Sequence, residues 1–121
     1  MKIGRDLKSL YAGAIEKYGV DAQLGVLQEE CAELIVAVSH LMRERPDAIQ
    51  GFIEELADVN IMTGQFIQYL ENNRYGAEFW QATTAKLNRL HERLEGKNKE
   101  SDNGQGTNQS PERAGGKGKQ I

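Results

Sequence analysis

Four acidic residues stand in two matched pairs. Glu30 and Glu33 lie in the run Gln28-Glu29-Glu30-Cys31-Ala32-Glu33-Leu34, and Glu55 and Asp58 lie in Ile53-Glu54-Glu55-Leu56-Ala57-Asp58-Val59. Each pair reads acid-x-x-acid, and three residues along an α-helix share one face. Like charges at that spacing repel. Two such pairs facing each other gather about four negative charges in a small volume, and partial burial sharpens the conflict because low dielectric disfavours the charged form. The acids must then take up protons or share a divalent cation. An all-oxygen site suits Mg²⁺, or Mn²⁺, which keep several waters free for a substrate phosphate.

A lone pair of this kind is ordinarily a solvated helix face, so the wheel position decides its meaning. At about 100° per residue, the second helix carries an apolar arc of Leu24, Leu27, Cys31, Leu34, Val38 and Leu41. Glu30 falls near its edge, Val26 and Ala37 lie between the directions of Glu30 and Glu33, and Glu29 points away. The third helix carries Ile49, Phe52, Leu56, Val59, Phe66, Ile67 and Leu70, with Glu55 between Phe66 and Met62, Asp58 beside Tyr69, and Glu54 facing away. In each Glu-Glu pair one acid is therefore solvated and the other turned inward. His40 and His91 read as surface residues.

A second element carries the opposite charge. Lys86, Arg89 and Arg93 follow at i, i+3 and i+7, beside a packing stripe of Trp80, Thr83, Leu87, Leu90 and Leu94. Arginine offers a planar fork to phosphate and lysine a point charge. The same cations also suit the end of a solvated helix.

The elements that must position these groups are all helical. No stretch shows the period-2 alternation of a strand. The pattern predicts helices over about 5–18, 22–43, 47–71 and 77–95 of the 121 residues, with Gly19 and Gly96 as stops and Asp21 and Asp47 as caps. Short connections favour antiparallel neighbours, so the two long middle helices form a hairpin. From Gly96 onward, six of the chain's 13 glycines fall among almost no aliphatic residues. Such a segment buries too little apolar surface to offset its ordering entropy. The expected organisation is a helical domain over residues 1–95 and a disordered polar tail over 96–121.

Charge divides in the same place. The tail carries five basic and three acidic residues, which leaves ten basic and fifteen acidic residues before it. An acidic domain does not draw nucleic acid by its net field, and an anionic substrate there needs a cation between. The single cysteine, Cys31, excludes an internal disulfide and is expected in the core. No signal peptide or membrane-length apolar run is visible, so a cytoplasmic protein without membrane contact is expected. Apolar stripes on both sides of a small helical unit predict a homodimer or homotetramer.

Over about Gln23–Leu94, Glu30-x-x-Glu33, Glu55-x-x-Asp58 and Lys86-x-x-Arg89 together resemble the MazG-like all-α nucleoside triphosphate pyrophosphohydrolases, of the short phage or bacterial type. The phrases EECAEL and EELADV stand as that family writes them, whereas Thr84 and Asn60 depart from its pattern. The resemblance implies a four-helix bundle completed by homo-oligomerisation. It also implies cleavage between the α and β phosphates to give a nucleoside monophosphate and pyrophosphate. Glu30, Glu33, Glu55 and Asp58 would then ligate Mg²⁺ and carry catalysis, while Lys86 and Arg89 would contact phosphate. Apart from the resemblance, Arg93 on the same basic stripe is a further candidate for phosphate, and a carboxylate not saturated by metal, such as Glu33, a candidate base. Two other readings stand beside it: a non-catalytic helical oligomer that binds partners, and a pyrophosphohydrolase for another substrate such as phosphoribosyl-ATP.

Overall fold

The computed structural model describes residues 6–103. Its described residues form four helices and no strand: α1 (Leu7–Tyr18), α2 (Val20–Met42), α3 (Ala48–Asn72) and α4 (Gly76–Asn103). The chain falls into two units, residues 1–79 and residues 80–121. The first holds α1, α2 and α3, which pack against one another. The second holds most of α4.

Gly19 both closes α1 and opens α2. Its amide donates to the Ile15 carbonyl, and its carbonyl accepts from the Gln23 amide. The backbone turns there at φ 93°, ψ 153°, a region that only glycine occupies cheaply. It is a positive-φ corner rather than the left-handed helix stop expected, and it starts α2 at Val20, ahead of Asp21. At the other end of α2, the Arg45 amide donates to the His40 carbonyl and the Glu44 amide to that of Leu41. This is a Schellman closure, with Glu44 at φ 57° where glycine is usual. Asp47, at φ 62°, then caps α3 without a side-chain hydrogen bond.

The α2–α3 seam runs antiparallel. As α2 advances from Gln23 to Glu30, its partners on α3 run back from Gln65 to Asp58. Gln23 Nε2 donates to Gln65 Oε1 at 2.8 Å, with both residues buried. Ala37 and Met62 are the buried apolar residues. Gln23, Glu30 and Ala37 recur every seven residues, as do Glu55 and Met62, so each set lies on one stripe.

This seam is rotated from the apolar arcs expected. Leu24, Leu56 and Ile49 are exposed, and so is Cys31, which does not join the core, whereas the other members of the two expected arcs are half-buried. The packing stripe read on the last helix is likewise exposed at Trp80, Leu87, Leu90 and Leu94. A wheel finds apolar faces, but it does not say which of two faces meets a neighbour in the same chain. Nor does Gly96 stop α4, whose backbone stays helical to Asn103. One glycine costs a helix only about 1 kcal/mol relative to alanine, and Glu95 and Lys97 beside it are good helix formers. Residues 104–121, the rest of the expected tail, lie outside the described residues.

The ring of Tyr11 on α1 lies against Gly64 on α3. A Cβ at Gly64 would come within 2.6–2.9 Å of the ring's outer atoms, whereas one at Gly25 in α2 would meet nothing within 4 Å. Gly25→Ala therefore raises stability by about 0.5–1 kcal/mol through helix propensity. Gly64→Ala gains the same propensity but displaces Tyr11, so it gives no rise or a net loss. Urea denaturation of the two variants measures the difference.

Candidate metal centre

Packing at the seam places three carboxylates together. One ligand oxygen from each of Glu30, Glu55 and Asp58 lies within 4.8 Å of the others. Glu30 is brought there because it shares a stripe with the buried Gln23 and Ala37. Glu55 is brought there because it lies two turns before the buried Met62. Both glutamates are half-buried, while Asp58, three residues on from Glu55, is exposed at the rim.

The Oε1 atoms of Glu30 and Glu55 are shielded from solvent and accept no hydrogen bond. A shielded carboxylate oxygen with no donor carries its full desolvation penalty and needs an explanation. Burial pushes the Glu30 carboxyl above the ordinary 4.5, and the charges of Asp58, Glu33, Glu55 and Glu29 push it further. Burial likewise raises Glu55, followed by the charges of Glu33, Asp58 and Glu54.

Of the four acids read from the sequence, the structure thus gathers Glu30, Glu55 and Asp58 into one cluster. Glu33 is exposed and stands against Glu55 rather than inside that group. Lys86, Arg89 and Arg93 are exposed on α4, in the second unit. His91 is also exposed, 3.6 Å from Glu95. His40 differs from its expected surface position: it is half-buried and lines a cavity that also reaches Glu33 and Glu55. Arg45 and Asp47 line the same cavity. The sequence marks Asp47 only as a helix cap and Arg45 only as a residue before Pro46, and nothing local says which way that corner faces.

Compared with protein-family models, with curated proteins and with solved structures, the chain matches none.

The donor set fits a hard divalent cation. It is all oxygen, two of its oxygens are shielded and unpartnered, and its charges are in mutual conflict. Because Glu30 and Glu55 hold their protons more tightly folded than unfolded, the folded state binds more protons just above pH 4.5. Their contribution to stability therefore falls as pH rises from there through their folded values. In EDTA, the melting temperature of the chain should fall over that range. Glu30→Gln and Glu55→Gln should each flatten the fall, and excess Mg²⁺ should reverse it near neutral pH. A profile unaffected by either substitution would remove the assigned conflict.

Proposed function

We propose that the chain is a Mg²⁺-dependent nucleoside triphosphate pyrophosphohydrolase of the MazG-like kind. The observation that carries this reading is the pair of shielded, unpartnered Oε1 atoms of Glu30 and Glu55 beside Asp58. A folded chain holds such oxygens against their own repulsion only where something offsets the cost. A divalent cation held by Glu30, Glu55 and Asp58 would do so. When bound, it would supply charge neutralisation for phosphate oxygens and activation of a water.

The chain's own residues then divide the work. Glu33, outside the cluster but near enough to Glu55 for its charge to raise that carboxyl, would take the proton from an attacking water. Water adds to the α-phosphorus, the bond to the bridging oxygen breaks, and pyrophosphate leaves with the electron pair. The role of Lys86, Arg89 and Arg93 as phosphate contacts rests on their spacing along the helix alone.

Glu30→Gln should lower pyrophosphate release by a factor on the order of 10² or more, and in EDTA at neutral pH it should melt higher than the parent chain. Loss of activity with a gain in stability is the signature of a charge retained for chemistry. Turnover equal to the parent's would show that Glu30 has no such role.

Assembly with further copies belongs to the same proposal, supported by a separate observation. Leu24, Cys31, Ile35 and Met42 form one stripe on α2, and Ile49, Ile53 and Leu56 one on α3. Ile35 is 69% exposed and Met42 78%. In an antiparallel hairpin these stripes fall on the same side, away from Asp58 and Glu33. A second copy of the chain would cover them, as a homodimer or within a homotetramer. Light scattering after gel filtration should give a mass above the monomer's 13.5 kDa, and Ile35→Glu should return it to that value.

A further inference from the structure

The cavity beside the carboxylates has a volume of about 660 Å³, ample for a nucleoside. Its walls are made of small residues from both helices: Ala32 and Ala37 of α2, Ala48 and Gly51 of α3. A Cβ built on Gly51 would meet nothing within 4 Å, so the space above it is open. Glu33, Glu55, His40, Arg45 and Asp47 also line the cavity. Glu33 and His40 are seven residues apart on one helix, roughly 10 Å at 1.5 Å per residue. A nucleotide whose phosphates meet the acids therefore has its sugar and base along this wall.

We propose that the cavity is the base pocket and that Arg45 and Asp47 select guanine over adenine. The inference rests on the reading of the acids as the triphosphate site. Its chemistry comes from two opposite groups on either side of Pro46, in the turn that the left-handed Glu44 and Asp47 create. Guanine presents O6 and N7 as neighbouring acceptors, which match the arginine fork. Beside them its N1–H and exocyclic amino group are neighbouring donors, which match the two oxygens of a carboxylate. Adenine keeps the N7 acceptor but inverts one position of each pair. Its amino group meets the donors of Arg45, and its bare N1 meets the carboxylate of Asp47. The wrong purine is thus rejected by repulsion as well as by lost bonds. A pyrimidine leaves more of the small-residue wall uncovered. His40, half-buried, adds an aromatic ring to the same lining.

Two measurements on the full chain test this. The first is kcat/KM for pyrophosphate release from GTP and from ATP with Mg²⁺. The second is calorimetric binding of GMP and of AMP in EDTA, which needs neither turnover nor a metal. GTP and GMP should be preferred by at least about tenfold, the discrimination of one good bidentate contact. Asp47→Asn keeps the left-handed backbone, which asparagine tolerates, and should erase that preference in both assays. Arg45→Ala should erase it too. Equal use of the two purines by the parent chain, or a preference unchanged in Asp47→Asn, overturns the proposal while leaving the pyrophosphohydrolase intact. If no triphosphate is cleaved, the catalytic reading fails by itself, and the GMP-to-AMP binding ratio still decides the pocket.

Discussion

Repulsion among Glu30, Glu55 and Asp58 is held in place by the packing of α2 on α3. The two helices meet over a seam with little apolar bulk: Ala37 and Met62 are its buried hydrophobic residues, and a glutamine pair closes one end. Gln23 and Gln65 give each other the partner that burial demands, because a single unpaired amide in that position would cost about 1–3 kcal/mol. That bond also fixes register. Sliding α3 by one turn would break it and would separate Glu30 from Asp58 as well. The polar lock and the acid cluster are therefore consequences of the same alignment.

A seam built this way spends much of its contact on groups that do not stabilise it. Shielded oxygens without donors and raised carboxyl groups work against the fold. Such conflict gathers where function rather than stability has set the residue. The exposed apolar stripe on the opposite side of the hairpin is the complementary feature. It leaves hydrophobic surface available for burial elsewhere, while the seam itself is given to polar groups.

Much of the helical organisation was legible in the chain itself. The 3.6-residue pattern gave four helices, Gly19 marked the corner between the first two, and Asp47 marked the start of α3. The two acid-x-x-acid motifs pointed to Glu30 and Glu55 as the inward members, since Glu29 and Glu54 fall on the far face. Cys31, Leu24, Ile49 and Leu56 were misplaced because their pattern is genuinely apolar. Periodicity cannot tell a face that packs within the chain from one left open. His40 was misread for a related reason: on its own helix it looks peripheral, and only the returning α3 turns its surroundings into a cavity.

The sequence alone therefore determined the kinds of element and the acids they carry, because helix periodicity and charge repulsion act over a few residues. Tertiary structure decided which stripes became the seam, that Glu33 stands beside rather than within the three-acid cluster, and that Arg45 and Asp47 share a cavity with Glu55. Those outcomes depend on the rotation and register of one helix against another, set by contacts between residues some forty positions apart, such as Gln23 and Gln65. No local pattern encodes such a pairing.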